Sequence, residues 1–193
     1  MGDPAFQPYA QAFGEMALAW NDLHETLGDL FWDLLRVSNK LVPLAVWHSS
    51  KSDRAQRDMI KALVDLEALG HDIRREFRDE IAWVLTRINS LEDTRNDILH
   101  SPFLKSEDGE VAAASGLGHV RAKKLQGKDV LQEVRYFYDC VVVLRDYALK
   151  ISRLMSYDWG MAEPLLQRPL LPTRGDSNAK KPPPQAPKAK PPR

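Results

Sequence analysis

Arg95 and His100 lie five residues apart in the segment Arg95-Asn96-Asp97-Ile98-Leu99-His100, which runs into Ser101-Pro102. A guanidinium is a rigid fork of N–H donors suited to phosphate, and an imidazole gains or loses its proton near neutral pH. Together they are residue types for phosphate-ester chemistry by general acid–base catalysis. The position of Arg95 is unusual. Phe77, Ile81, Val84, Ile88, Leu91, Arg95 and Ile98 follow the alternating spacing of a single buried helix stripe. A charge in such a stripe costs several kcal/mol unless it is paired, and departures of this kind concentrate at functional sites. Two readings stay open: Arg95 grips an anion, or it is a buried arginine satisfied by an acid on a neighbouring helix.

The elements that carry these residues follow from the same periodicity. A first helix is expected from about Tyr9 to Val37, with Phe13, Met16, Trp20, Leu23, Leu27, Leu30 and Leu34 on one face. An apolar connector, Leu41 to Trp47, reads as core packing, with Pro43 stopping any extension of the first helix. His48-Ser49-Ser50-Lys51-Ser52-Asp53 supplies a cap for a second helix from Asp53 to Leu69, with Ile60, Leu63 and Leu66 inward and Gly70 ending it. The third helix, from about Asp72 to Leu99, cannot pass far beyond His100 because of Pro102, so the motif sits at its C-terminal end. Asp108-Gly109, flanked by Phe103-Leu104 and Val111-Ala112, suits a small hairpin. A last helix from about Lys128 to Ser156 repeats the stripe through Val130, Val134, Phe137, Val141, Leu144, Ala148, Ile151 and Met155. The expected fold is all-α, an antiparallel bundle of four long helices over residues 1–160, followed by a Pro/Lys-rich disordered tail over 161–193.

On an ideal helix His100 points ~140° away from Arg95, so the last turn must fray or cap if the two are to converge. Glu92 and Asn96 lie two turns and one turn before His100 and are placed to orient its ring. The C-terminal end of the helix dipole favours the protonated imidazole.

Composition narrows the function classes. The 193 residues carry 27 Lys and Arg against 27 Asp and Glu. From Leu171 onward there are six bases and one acid, leaving 21 against 26 in the rest, so the body is about −5 and the tail about +5. An acidic body argues against a broad basic nucleic-acid face, so an RNA contact must be local. The basic tail is a solvated linker or a weak polyanion or proline-motif contact. No apolar run approaches a membrane span, and no secretory leader is recognisable, which places the chain in the cytoplasm with no membrane partner. The single Cys140, beside Val141, reads as a small core residue rather than a nucleophile. No metal-ligand pair stands out, and Ser115-Gly116-Leu117-Gly118-His119 lacks the lysine of a phosphate loop and reads as a flexible turn, so no cofactor is expected.

Arg95-Asn96-Asp97-Ile98-Leu99-His100 resembles the signature of the HEPN superfamily, small helical bundles marked by Arg, a polar residue that is often Asn, a few variable residues and His. The likeness of motif and helix order covers roughly residues 9 to 156. The resemblance implies a metal-independent endoribonuclease, often a toxin or defence effector, working as a homodimer that brings two motif helices together. It also implies a possible antitoxin or nucleotidyltransferase partner. His100 would then be the general base or acid at the ribose 2′-hydroxyl, Arg95 the grip on the scissile phosphate, and Asn96 the residue that holds the geometry. Inactive relatives use such a bundle to bind nucleotides or partners, so a non-catalytic module with a structural Arg95 is the alternative.

Supporting basic groups fall in two places. Lys51, Arg54 and Arg57 surround the start of the second helix, and His119, Arg121, Lys123 and Lys124, with Lys128 nearby, form the one dense basic cluster of the body. Each set is read as RNA-backbone contact or as capping and surface solvation. Asn21 and His24 flank the stripe of the first helix, where a histidine is more often structural than catalytic.

Overall fold

The structure, a computed structural model, describes residues 3–66, 75–107, 109–156 and 166–174. Helices dominate it, and the one sheet among the described residues has two strands.

Helix α1 spans Gln7–Leu35 after a 3-10 turn at Pro4–Phe6 that Asp3 caps. Its stripe is buried as expected, from Met16 through Trp20, Leu23, Leu27 and Leu30 to Leu34. The helix ends two residues before Val37 because Arg36 turns left-handed (φ 51°), donating its N–H to Asp33 O at 3.2 Å. The connector expected to be core is instead a helix, α2 (Leu41–Ser49), whose first turn contains Pro43. Only Pro43 and Trp47 are buried there, while Leu41 (77% exposed), Val42 (64%) and Val46 (47%) face outward. Nine residues make two and a half turns, too few to bury every side.

Helix α3 spans Asp53–Asp65, with the Ser52 hydroxyl accepting the Ala55 N–H at 3.2 Å as N-cap. It stops short of Leu69, and Leu66, expected inward, lies beyond its end and is exposed. The buried positions are Arg57, Ile60 and Val64. Gly70, Asp72 and Asp108 lie outside the described residues. Helix α4 spans Arg75–Leu99 and buries Phe77, Ile81, Val84, Ile88, Leu91 and Ile98. The expected hairpin forms from β1 (Phe103–Lys105) and β2 (Val111–Ala113), antiparallel with Leu104 opposite Ala112, and Gly109 supplies a positive φ of 85° between them. A short α5 (Val120–Lys124) leads to α6 (Val130–Ser156), whose predicted stripe is buried throughout.

Helix α6 packs against both α1 and α4, and α3 touches α1 and α4, so these four enclose the core. Trp20, Leu23, Ile60, Ile81, Phe137 and Leu144 are all but inaccessible in it. Each large apolar side chain removed from water in this way stabilises the fold by about 1.5–3 kcal/mol before conformational entropy is counted.

Residues 166–174 fall within the stretch expected as tail from 161. They run along α4 and α6, with Leu166 and Leu171 packed on the core. Arg168 donates to both Glu80 oxygens (3.2 and 2.9 Å) and stands over the Trp83 ring. At the other end Gln132 donates to Arg174 O at 3.3 Å. The rest of the expected tail lies outside the described residues. No helix among the described residues is long and apolar enough to cross a membrane.

Candidate functional site

Among the described residues, the fully buried arginine is Arg57. It sits in the inward register of α3, one turn before Ile60, and is 1% exposed. Each of its three nitrogens has a partner: Nε donates to Asn89 Oδ1 (2.7 Å), Nη2 to Glu92 Oε2 (2.8 Å), and Nη1 faces His24 Nε2 (3.0 Å). Removal from water opposes the charge of both Arg57 and His24 and lowers both pKa values, so pairing with Glu92 is what keeps Arg57 in place. The network ties α1, α3 and α4 together. Arg57, one of the residues read from the sequence as a phosphate contact, is thus enclosed and engaged within the protein instead of standing open at the surface.

Arg95 behaves differently. Its position in the α4 stripe falls at the rim of the core, and its side chain is 25% exposed. Nη1 donates to Asn96 Oδ1 at 3.3 Å, and the nearest acid, Asp53 Oδ2, is 4.0 Å away. Its Nε is sealed from solvent without an acceptor. The guanidinium stands over the Trp20 ring, 5.4 Å from the centroid, as Arg57 does at 5.7 Å. Trp20 is in turn fixed by its indole N–H, which donates to Asp53 Oδ2 at 2.6 Å.

His100 follows the last helical residue and is exposed. Its backbone N–H still donates to Asn96 O at 3.1 Å, so the helical turn continues to His100 instead of fraying. A turn that stays helical keeps Arg95 and His100 ~140° apart around α4 on ideal geometry, so the fraying that would bring them together within a single copy is not seen at this backbone bond. Glu92 and Asn96 do not orient the imidazole either. Glu92 is held by Arg57 and, at 3.3 Å, by Arg54, while Asn96 Oδ1 takes the Arg95 bond.

The other basic candidates divide. Lys51 and Arg54 are exposed at the start of α3, beside Asp53, and Arg54 stands 3.3 Å from Glu92. Arg121 and Lys124 instead converge on the buried Asp97 of α4 (3.1 and 3.2 Å), and this clamps α5 to the motif helix. His119 caps α5 by accepting the Ala122 N–H at 3.3 Å, and Lys123 is exposed. Cys140 is fully buried, and burial pushes its thiol pKa up. Among the described residues, no three His, Cys, Asp or Glu side chains converge as a metal-ligand group.

Sequence reasoning missed the enclosed role of Arg57, its partner Asn89 and the Trp20–Asp53 bond. A signal for Arg57 exists: residues 57, 60 and 64 carry the same 3, 4 spacing as the apolar stripes. Comparison with protein-family models, with curated proteins and with solved structures finds no match.

Proposed function

We propose that the chain is a metal-independent endoribonuclease of HEPN type, an antiparallel bundle of four long helices that acts in the cytoplasm as a toxin or defence effector. The observation that carries this reading is the commitment of the two arginines. Arg57 is the arginine sealed by acid and amide partners, whereas Arg95, partly exposed, has no carboxylate within hydrogen-bonding distance. A rim guanidinium that no acid hydrogen-bonds, little more than one helical turn before an exposed imidazole, is suited to a phosphodiester.

In this reading the ribose 2′-oxygen attacks the adjacent phosphorus as His100 accepts its proton. The bond from phosphorus to the 5′-oxygen breaks, the departing 5′-oxygen takes a proton, and a 2′,3′-cyclic phosphate remains. Arg95 balances the charge gathering on the non-bridging oxygens, with Asn96 bonded to it. Because Arg95 and His100 diverge on one helix, a homodimer that apposes two α4 ends supplies the shared cleft. Arg54 and Lys51 extend the phosphate track. The nucleophile is the 2′-hydroxyl, so DNA is not cut.

The test is cleavage of single-stranded RNA in the presence of a chelator, with His100→Ala as control. Wild type should release cyclic-phosphate ends and the variant none, with equal melting curves because His100 is exposed. Equal rates for the two would sink the reading.

A non-catalytic helical module that binds a protein partner is favoured by one feature, the exposed apolar side of α2 formed by Leu41, Val42 and Val46. Its signature is a partner complex lost on Val42→Asp while RNA stays uncut.

A further inference from the structure

Asp53 opens α3, and one of its carboxylate oxygens serves two groups. Oδ2 accepts the indole N–H of Trp20 at 2.6 Å and stands 4.0 Å from Nη1 of Arg95. Trp20 is 1% exposed, so the bond pins the carboxylate in one place. Both charged side chains reach solvent, Asp53 with 38% and Arg95 with 25% of its area. At 4.0 Å they attract each other as ions without forming the ~2.7–2.9 Å bond of a committed pair. The neighbouring Arg57–Glu92 contact at 2.8 Å shows what commitment looks like in the same site. Arg95 is thus aligned on the Trp20 face, under-bonded, and opposed by a negative group that it does not touch.

We propose that Asp53 is a surrogate anion: it offsets the Arg95 charge in the free protein, keeps the guanidinium on Trp20, and is displaced from that partnership when a phosphodiester group of RNA arrives. The identity of the anion rests on the ribonuclease reading, and the role of Asp53 rests on the geometry. A surrogate of this kind works against the substrate. A fixed negative charge near the phosphate subsite repels each incoming phosphate, so removing that charge while keeping the oxygen should strengthen binding. A carboxylate with a merely structural role would give no such gain.

The experiment measures binding of a short 2′-O-methyl RNA, which lacks the attacking hydroxyl, to the full chain by fluorescence anisotropy. Asp53→Asn keeps an oxygen for the Trp20 indole and removes the charge. It should bind about fivefold more tightly than wild type at low salt, with the gain shrinking toward none at about 1 M salt. Asp53→Glu keeps the charge and should show no gain, which separates charge from local repacking. Placed on an Arg95→Ala background, Asp53→Asn should give no gain over Arg95→Ala alone, because the two positions act on one phosphate.

Folded Asp53→Asn protein that binds no more tightly than wild type at low salt overturns the proposal. So does an equal gain for Asp53→Glu. Cleavage of unmodified RNA is scored separately. Wild type that cuts RNA without any Asp53→Asn gain removes the surrogate role alone, and a gain without cutting removes the ribonuclease reading alone.

Discussion

Arg57 Nη1 lies 3.0 Å from His24 Nε2 in the sealed space between α1, α3 and α4. A guanidinium only donates, so Nε2 accepts, and the imidazole proton belongs on Nδ1, which faces Trp20 O at 3.0 Å. His24 is therefore held neutral, and burial lowers its pKa below the ordinary 6.5. Above that value both folded and unfolded chains carry neutral His24, and its contribution to stability is complete. Below it the unfolded chain takes up a proton that the folded chain refuses, so stability falls with pH until the folded pKa is reached. Melting temperatures should decline as the pH falls through about 6.5 and below, and His24→Gln, which keeps an acceptor for Arg57, should flatten the slope. Asp33, whose pKa burial raises, is present in both proteins and cancels in the comparison. Parallel slopes would remove His24 as the cause.

The two arginines should separate by stability and activity. Arg57→Ala empties the sealed space between α1, α3 and α4, strips His24 Nε2 of its donor and leaves the partly exposed Glu92 with Arg54 alone, and should cost about 2–5 kcal/mol in urea unfolding. Arg95→Ala breaks only a loose, partly exposed pairing and should cost about 1 kcal/mol or less. RNA cleavage should instead fall about 10²–10³-fold, the scale for losing one donor to developing phosphate charge. A large stability loss for Arg95→Ala would return it to a structural role.

Gly28→Ala tests the seating of α2. Alanine is the better helix former by about 1 kcal/mol in mid-helix. Yet a Cβ at residue 28 would stand 3.0 Å from Trp47 Nε1, 3.1 Å from Cδ1 and 3.4 Å from Leu44 Cδ2. Trp47 is fully buried and packed on Phe31, so it has little room to give the few tenths of an ångström that the added methyl needs. Overpacking of this kind costs about 1–3 kcal/mol, so the variant should melt below wild type. A higher melting temperature would mean that α2 yields freely.

Glu80 accepts from both Tyr147 Oη (2.8 Å) and Arg168, so it joins α4, α6 and the 166–174 segment. Burial, then the Glu80 hydrogen bond, raises the Tyr147 pKa. Tyr147→Phe removes one donor together with its bond and should cost about 1 kcal/mol, whereas Glu80→Ala strands the buried Tyr147 hydroxyl, with Arg168 left to solvent, and should cost more, about 1–3 kcal/mol. The ordering, measured by urea unfolding, is the test; a larger loss for Tyr147→Phe would contradict it.

Helices with a continuous apolar face are legible without coordinates. The stripes of α1, α4 and α6 fall where the 3, 4 spacing puts them, because burial of one face dominates their energetics. Short elements are not. In α2 every residue from Leu41 to Trp47 is apolar, so no periodicity tells which side packs. In α3 the spacing of Ile60, Leu63 and Leu66 suggests the inward register because a charge at 57 reads as surface; the acid and amide that satisfy it lie on α4, 35 and 32 residues away. The same non-local pairing explains the basic cluster near α5, where Arg121 and Lys124 answer a buried Asp97 that sequence alone presents as one more helix acid. The motif positions at 95, 96 and 100 are legible by type, but not their divergence around α4, which depends on whether one backbone bond to Asn96 O survives.

Trp20 carries two guanidinium groups over its ring, and they differ in freedom: Arg57 is locked from within, while Arg95 sits at the rim. Indole emission responds to nearby charge, so the protein holds its own optical probe, read as a difference spectrum against Trp20→Phe. Departure of Arg95 toward a ligand would register as a spectral shift in the unmodified protein, with no label attached.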